Sequence, residues 1–132
     1  MCTGPKIEYK DDSHSLDEAS LEKFLNTVNA KDPCYSVLFF TNGFLSQEKI
    51  EVKNNDEIVF SDTLATDRSF GLAKTLRIKN QHDIVITDLK TKYSFTLPAR
   101  KNSKYKFIYV SKDADSSTDY VVTYSNTYGG FY

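Results

Sequence analysis

The chain has 132 residues, the length of one domain, and its formal net charge of −1 excludes a strong overall attraction to polyanions. Aromatic residues make up 14% of the chain, as 9 Tyr and 9 Phe without Trp, which is enough bulk for a single hydrophobic core. No apolar run is long enough to span a membrane.

Residues 1–14 are a polar leader, in which we expect one short strand near residues 6–10. If the chain is full length, we expect a cytoplasmic protein, because residues 1–5 do not begin a signal peptide. If a signal peptide was removed before Cys2, this cysteine stands where a bacterial lipoprotein carries its lipid, and the protein belongs to the cell envelope or is secreted. Cys34 opens the first strong strand, and we expect it to be a small buried hydrophobic residue. A disulfide between the two cysteines cannot be inferred from their spacing.

Residues 15–30 are predicted to form one helix. Ser15 and Glu18 have the spacing of a capping box, in which each side chain satisfies a backbone N–H group of the first turn. An apolar stripe follows at helical spacing: Leu21, Phe24, Leu25 and Val28. We expect this stripe to pack on a sheet rather than to bind a partner.

The remaining chain, residues 34–125, is predicted to be a β meander, followed by a tail at 126–132. The expected strands are 35–40, 48–53, 57–62, 73–79, 83–88, 92–97, 104–110 and 119–125. Residues 35–40 are apolar on both faces, which places this strand centrally in its sheet, beneath the helix.

Alternating apolar residues and short turns predict three successive hairpins. The expected facing pairs are Ile50–Phe60 and Val52–Ile58, then Leu76–Ile86 and Ile78–Ile84, then Tyr93–Tyr109, Phe95–Phe107 and Leu97–Tyr105. The fold that best accommodates them is an antiparallel two-layer β-sandwich of about eight strands with one N-terminal α-helix. The alternative is an eight-stranded up-and-down barrel.

A run of cations is the strongest functional signal. Residues 89–112 contain no Asp or Glu and seven Lys or Arg residues. In the predicted hairpin these cations lie on the outward face and in the loop, where they suit an acidic ligand. The candidate binding residues are Lys92, Arg100, Lys101, Lys104 and Lys106.

The sequence offers little for catalysis. His14 and His82 have no Cys, Asp or Glu at metal-ligand spacing, and no nucleophile or phosphate-binding motif is present. The loop at 111–119 carries three carboxylates but lacks the glycine and the bidentate glutamate of a calcium loop, which favours a solvated turn. We therefore expect no catalytic residues, no metal and no cofactor.

These features favour a non-catalytic binding or interaction module that engages a protein or a glycan. Two alternatives stay open. One is a barrel-type carrier of a small apolar ligand, and the other is a polyanion binder that uses the basic hairpin at 90–112.

Overall fold

The computed structural model describes residues 5–9, 18–41, 43–44, 48–65, 73–112 and 120–126. These residues form a mainly β single domain with one N-terminal helix and a second, single-turn helix. The elements are β1 (Lys6–Tyr9), α1 (Glu18–Thr27), β2 (Tyr35–Phe40), β3 (Glu48–Asn54), β4 (Glu57–Leu64), β5 (Lys74–Lys79), β6 (Ile84–Asp88), β7 (Ser94–Leu97), α2 (Ala99–Asn102), β8 (Phe107–Lys112) and β9 (Tyr120–Ser125).

The strands form two sheets that pack face to face. One has the order β1-β9-β8-β2-β5 and the other the order β4-β3-β6-β7. No strand pair among the described residues joins the two sheets, so the predicted sandwich is confirmed and the alternative barrel is wrong. The four-stranded sheet is antiparallel, whereas β1 runs parallel to β9 and β2 runs parallel to β8.

The strands do not follow one another as a meander. The second predicted hairpin is wrong, because β5 pairs with β2 and β6 pairs with β3, in the other sheet. The third is wrong for the same reason, because β7 pairs with β6 whereas β8 pairs with β2 and β9. Each connection carries the chain from one sheet to the other. The strands that were predicted to pair along a ladder therefore lie in different sheets.

The first hairpin exists, but its register differs from the predicted one. The turn consists of Asn55 and Asp56 alone, both with positive φ (55° and 61°), as in the type I′ turns that fit the twist of a hairpin. A bulge then leaves Val59 without a partner, so that Val52 faces Phe60 rather than Ile58. Ile58 consequently lies on the outer side and is 53% exposed.

The apolar side chains form two cores, one on each side of the five-stranded sheet. The larger core fills the space between the sheets and includes Ile50, Ile78, Ile86 and Phe95. The smaller core lies under α1 and consists of Ala30, Val37, Phe39, Phe107 and Tyr109 with the helix stripe Leu21, Phe24, Leu25 and Val28. Both the packing of the stripe and the central place of β2 beneath the helix are therefore confirmed.

The helix is shorter than predicted at its C-terminal end. Asn29 adopts the left-handed conformation (φ 57°), and its N–H donates to the carbonyl of Asn26 while that of Ala30 donates to Leu25. This is the hydrogen-bond pattern of a Schellman motif, which ends α1 at Thr27. Ser15 of the predicted capping box lies outside the described residues.

Candidate functional site

Three connections meet at one end of the sandwich, which we call the braced end. They are the β3–β4 turn (55–56), the β5–β6 connection (80–83) and the segment with α2 (98–104). The N–H of Asn55 donates to the carbonyl of Asp83 (3.3 Å), and the N–H of Ala99 donates to Oδ1 of Asp83 (2.8 Å). Asp83 therefore links all three connections.

Buried asparagines hold these connections in place. Asn54 Oδ1 accepts from the N–H of Lys79 (2.7 Å), and its Nδ2 donates to the carbonyl of the same residue (3.0 Å). Asn102 Nδ2 donates to the carbonyls of Leu97 (2.8 Å) and His82 (3.2 Å). Asn102 Oδ1 also accepts from the hydroxyl of Tyr124 (3.5 Å). Since both amides are bonded to groups within the protein, the loops are fixed without a ligand.

Asn80 adds a third brace, between this end and the start of β2. Its Nδ2 donates to the carbonyl of Pro33 (2.8 Å) and to Oγ of Ser36 (3.0 Å). Ser36 Oγ in turn donates to the carbonyl of Tyr105 (2.7 Å). All three asparagines and Ser36 are buried.

The braces predict a stability cost on truncation. Asn54→Ala should lower the free energy of unfolding by about 2 kcal/mol, because it leaves the N–H of Lys79 without its partner and the carbonyl of Lys79 with only the longer bond from the N–H of His82 (3.4 Å). The measurement is urea unfolding, with Asn26→Ala on the exposed side of α1 as the control. A cost of Asn54→Ala no larger than that of the control would show that the connections are held by other contacts.

A polar cleft of about 430 Å³ opens between the braced connections. Its lining includes Asn55, Asp56, Gln81, His82, Asp83 and Thr96, with Ala99 of α2 at one side. Carboxylates, amides, a hydroxyl, an imidazole and the ammonium of Lys53 thus converge on a volume in the usual range of small-ligand sites.

A smaller cavity of about 150 Å³ adjoins the cleft, with Gln81 and His82 lining both. Cys34 lines this cavity and is exposed with a free thiol, so the prediction of a buried hydrophobic residue is wrong. The prediction assumed that Cys34 opens the first strong strand, but this residue lies in the turn before β2. A hydrogen bond to Asp32 and the charge of that carboxylate raise the pKa of the Cys34 thiol. The thiol is therefore a weak nucleophile.

Three of the five predicted binding residues come together beside the cleft. Arg100, Lys101 and Lys104 lie on α2 and just after it, and none of them forms an ion pair with a carboxylate in the described part of the chain. Lys101 Nζ lies 5.6 Å from the ring centroid of Tyr9, which is 52% exposed and stacks on Tyr124 (5.6 Å). We call Tyr9, Arg100, Lys101 and Lys104 the basic corner.

The other two predicted residues do not join them. Lys92 lies in the turn before β7, whereas Arg100 follows β7, so the length of that strand separates the two cations. Lys106 Nζ donates to the carbonyls of Ala30, Asp32 (3.1 Å) and Tyr35 (2.8 Å). Burial lowers the pKa of Lys106, and the nearby charge of Asp32 opposes this shift.

Lys106 therefore ties the end of α1 to β2 instead of facing solvent. The prediction that Lys92 and Lys106 lie beside Arg100, Lys101 and Lys104 depended on a hairpin between β7 and β8, which these strands do not form. Sequence reasoning also missed Tyr9, which it left in the leader, and the cleft residues, which it took only as turn formers. The sequence signal for the cleft was the clustering of Asn, Gln and Asp residues at 54–56 and 80–83.

The opposite end of the sandwich holds a buried ion pair. Lys112 Nζ lies 3.1 Å from Glu48 Oε1, and each side chain is 8% exposed. The second carboxylate oxygen of Glu48 is buried and has no hydrogen-bond partner among the described residues. Nearby, Tyr120 donates its hydroxyl to Oδ2 of Asp88 (3.2 Å), and burial together with the Asp88 charge raises the pKa of Tyr120.

Asp88 is already saturated, because its Oδ1 accepts from the N–H groups of Lys90 (2.9 Å) and Thr91 (3.2 Å). These bonds and the ion pair give the cluster a structural role. Among the residues that the structure describes, no group of three or more His, Cys, Asp or Glu is arranged to hold a metal ion. The carboxylates of the 111–119 loop, like Cys2, lie outside the described residues.

No helix in the described ranges has the length and apolar character needed to cross a membrane. No protein-family model matches the chain, and a search of curated proteins finds no similar sequence.

Proposed function

We propose that the protein is a non-catalytic binding module that engages an acidic protein or glycan through the basic corner. The observation that carries this proposal is the group of three exposed or half-exposed cations, Arg100, Lys101 and Lys104, which have no carboxylate partner among the described residues. Unpaired cations on one surface attract carboxylate or sulfate groups even when the whole chain is near neutral.

The surroundings of the cations support a defined contact rather than a diffuse field. α2 is held from inside by Asn102 and at its start by Asp83, so its cations project from a fixed backbone. Tyr9 adds a half-exposed ring, an amphipathic contact surface that loses little conformational entropy on binding.

The apolar-carrier alternative has less support. A carrier needs an empty volume between its sheets, but Ile50, Ile78 and Ile86 are buried within one packed inter-sheet core.

Charge reversal in the basic corner should remove binding to an acidic polymer. We expect the parent protein to be retained on a heparin column and to elute with rising salt, as counterion release requires. Arg100→Glu combined with Lys104→Glu should elute at clearly lower salt, because both side chains are exposed and unpaired.

The matched control is Lys23→Glu combined with Lys49→Glu, two exposed lysines on α1 and β3. It changes the net charge by the same amount and should elute close to the parent. Equal shifts for the two double variants would leave the retention as a general charge effect, and the basic corner would then not be the site.

A further inference from the structure

The polar cleft and the basic corner are two sides of one segment, α2. Ala99 lines the cleft, and Arg100 is the next residue, so their Cα atoms lie about 3.8 Å apart. The backbone that carries Arg100 therefore also borders the cleft.

The chemistry of the cleft differs from that of the corner. Asp56 and Asp83 place two carboxylates there against the single ammonium of Lys53, so the lining keeps a net negative charge. The amides of Asn55 and Gln81 and the hydroxyl of Thr96 lie beside them. Asp56 has no ion-pair partner among the described residues, and only Oδ1 of Asp83 is occupied, by the N–H of Ala99. Anionic groups are repelled from these carboxylates, while hydroxyl donors bind them through charge-assisted hydrogen bonds.

We propose that the ligand is an acidic glycan, whose carboxylates pair with the basic corner while its hydroxyls fill the cleft. This inference rests on the proposed function and specifies its ligand class. A glycan supplies acid groups and many hydroxyl donors on one rigid chain, and both sets find complementary groups here. An acidic polypeptide supplies the charges without the hydroxyls.

The hydrogen bonds of the buried asparagines favour glycan binding, because they fix the cleft before a ligand arrives. Asn54 and Asn102 hold the backbone on either side of the cleft, so hydroxyl binding does not have to order the loops first. Asp56 itself is held at positive φ (61°) in a two-residue turn. Its carboxylate therefore projects from a fixed position.

The test compares two carboxylate polymers, hyaluronan oligosaccharides and poly-L-glutamate, by isothermal titration at constant salt. The cleft variant is Asp56→Asn with Thr96→Val, which removes one charge and one hydroxyl at nearly constant shape. Asn tolerates the left-handed conformation at this position, so the turn should survive. The matched control is Asp62→Asn with Thr63→Val, the same two changes at the other end of β4, both on exposed residues.

We expect the cleft variant to weaken hyaluronan binding about tenfold. Poly-L-glutamate binding should stay the same or become less than about twofold tighter, because the variant removes a carboxylate that repels it, and the control should stay near the parent for both polymers. Arg100→Glu with Lys104→Glu should weaken both polymers. Equal effects of the cleft variant on the two polymers, or tighter binding of poly-L-glutamate by the parent, would overturn the glycan assignment and leave the basic corner intact as a site. Binding of neither polymer by a parent protein that heparin still retains would overturn the glycan assignment alone, whereas loss of heparin retention as well would overturn both proposals.

Discussion

Lys112→Met should lower the free energy of unfolding by about 3–5 kcal/mol, the usual cost of removing one partner from a buried ion pair. Lys112 and Glu48 are each 8% exposed, and Lys112 is the hydrogen-bond donor to Oε1 of Glu48. The other carboxylate oxygen of Glu48 already has no hydrogen-bond partner in the part of the chain that the structure describes. Without Lys112 a buried charge would remain with neither oxygen satisfied, and urea unfolding measures the loss.

The double variant Glu48→Leu with Lys112→Met provides the control. It removes both charges at similar volume, so its stability should return to within about 1 kcal/mol of the parent or exceed it. If Lys112→Met by itself lowers the free energy of unfolding by less than about 1 kcal/mol, the ion pair is hydrated in solution. Its burial then does not stabilise this end of the sandwich.

The pair is better explained by the alignment of the sheets than by net stability. Glu48 belongs to β3 in one sheet and Lys112 to β8 in the other, so their contact is satisfied in only one relative position of the sheets. Gly43 follows β2, the neighbour of β8 in the same sheet, and a Cβ atom there would lie 1.7 Å from the carbonyl oxygen of Lys112. The backbone can approach Lys112 this closely only with glycine, which also allows the positive φ of 97°.

The local elements could be predicted because their signals are local. The apolar stripe that includes Leu21 and Phe24 repeats every three to four residues. Residues 35–40 place apolar side chains on both faces of their strand. Both patterns depend only on the side-chain periods of helices and strands. They therefore predicted α1, the central place of β2 and the positions of most strands.

Strand pairing could not be predicted in the same way, because alternation carries no information about the partner. Ile78 and Ile84 point into the same core whether their strands form a hairpin or belong to facing sheets. The strand pairing depends instead on long-range contacts. β2 is an interior strand, and its two neighbours, β5 and β8, come from distant parts of the chain.

The candidate site was predictable only in part, for the same reason. Arg100, Lys101 and Lys104 are close in sequence, so any fold that exposes the segment brings them together. Tyr9 reaches them only because β1 pairs in parallel with β9, and the cleft exists only because Asn54 and Asn102 join separate connections. These are long-range contacts, which no local pattern contains.

The corrected pairing has an energetic consequence for Phe95 and Phe107. Phe95 belongs to the core between the sheets, whereas Phe107 faces α1 on the other side of the five-stranded sheet. Each Phe→Ala variant should lower the free energy of unfolding by about 3–5 kcal/mol, because each ring is buried in a packed core. Thr96→Ala, on an exposed residue beside Phe95, should cost less than about 0.5 kcal/mol.

The two rings should also be energetically independent. In a double-mutant cycle with the milder Phe95→Leu and Phe107→Leu, each costing about 1 kcal/mol, the coupling should stay below about 0.5 kcal/mol. Residues that share no contact add in this way, while rings facing each other across a ladder couple by about 0.5–1.5 kcal/mol. A coupling in that range, measured by urea unfolding of the four proteins, would restore the hairpin between β7 and β8 and remove the separation of the two cores.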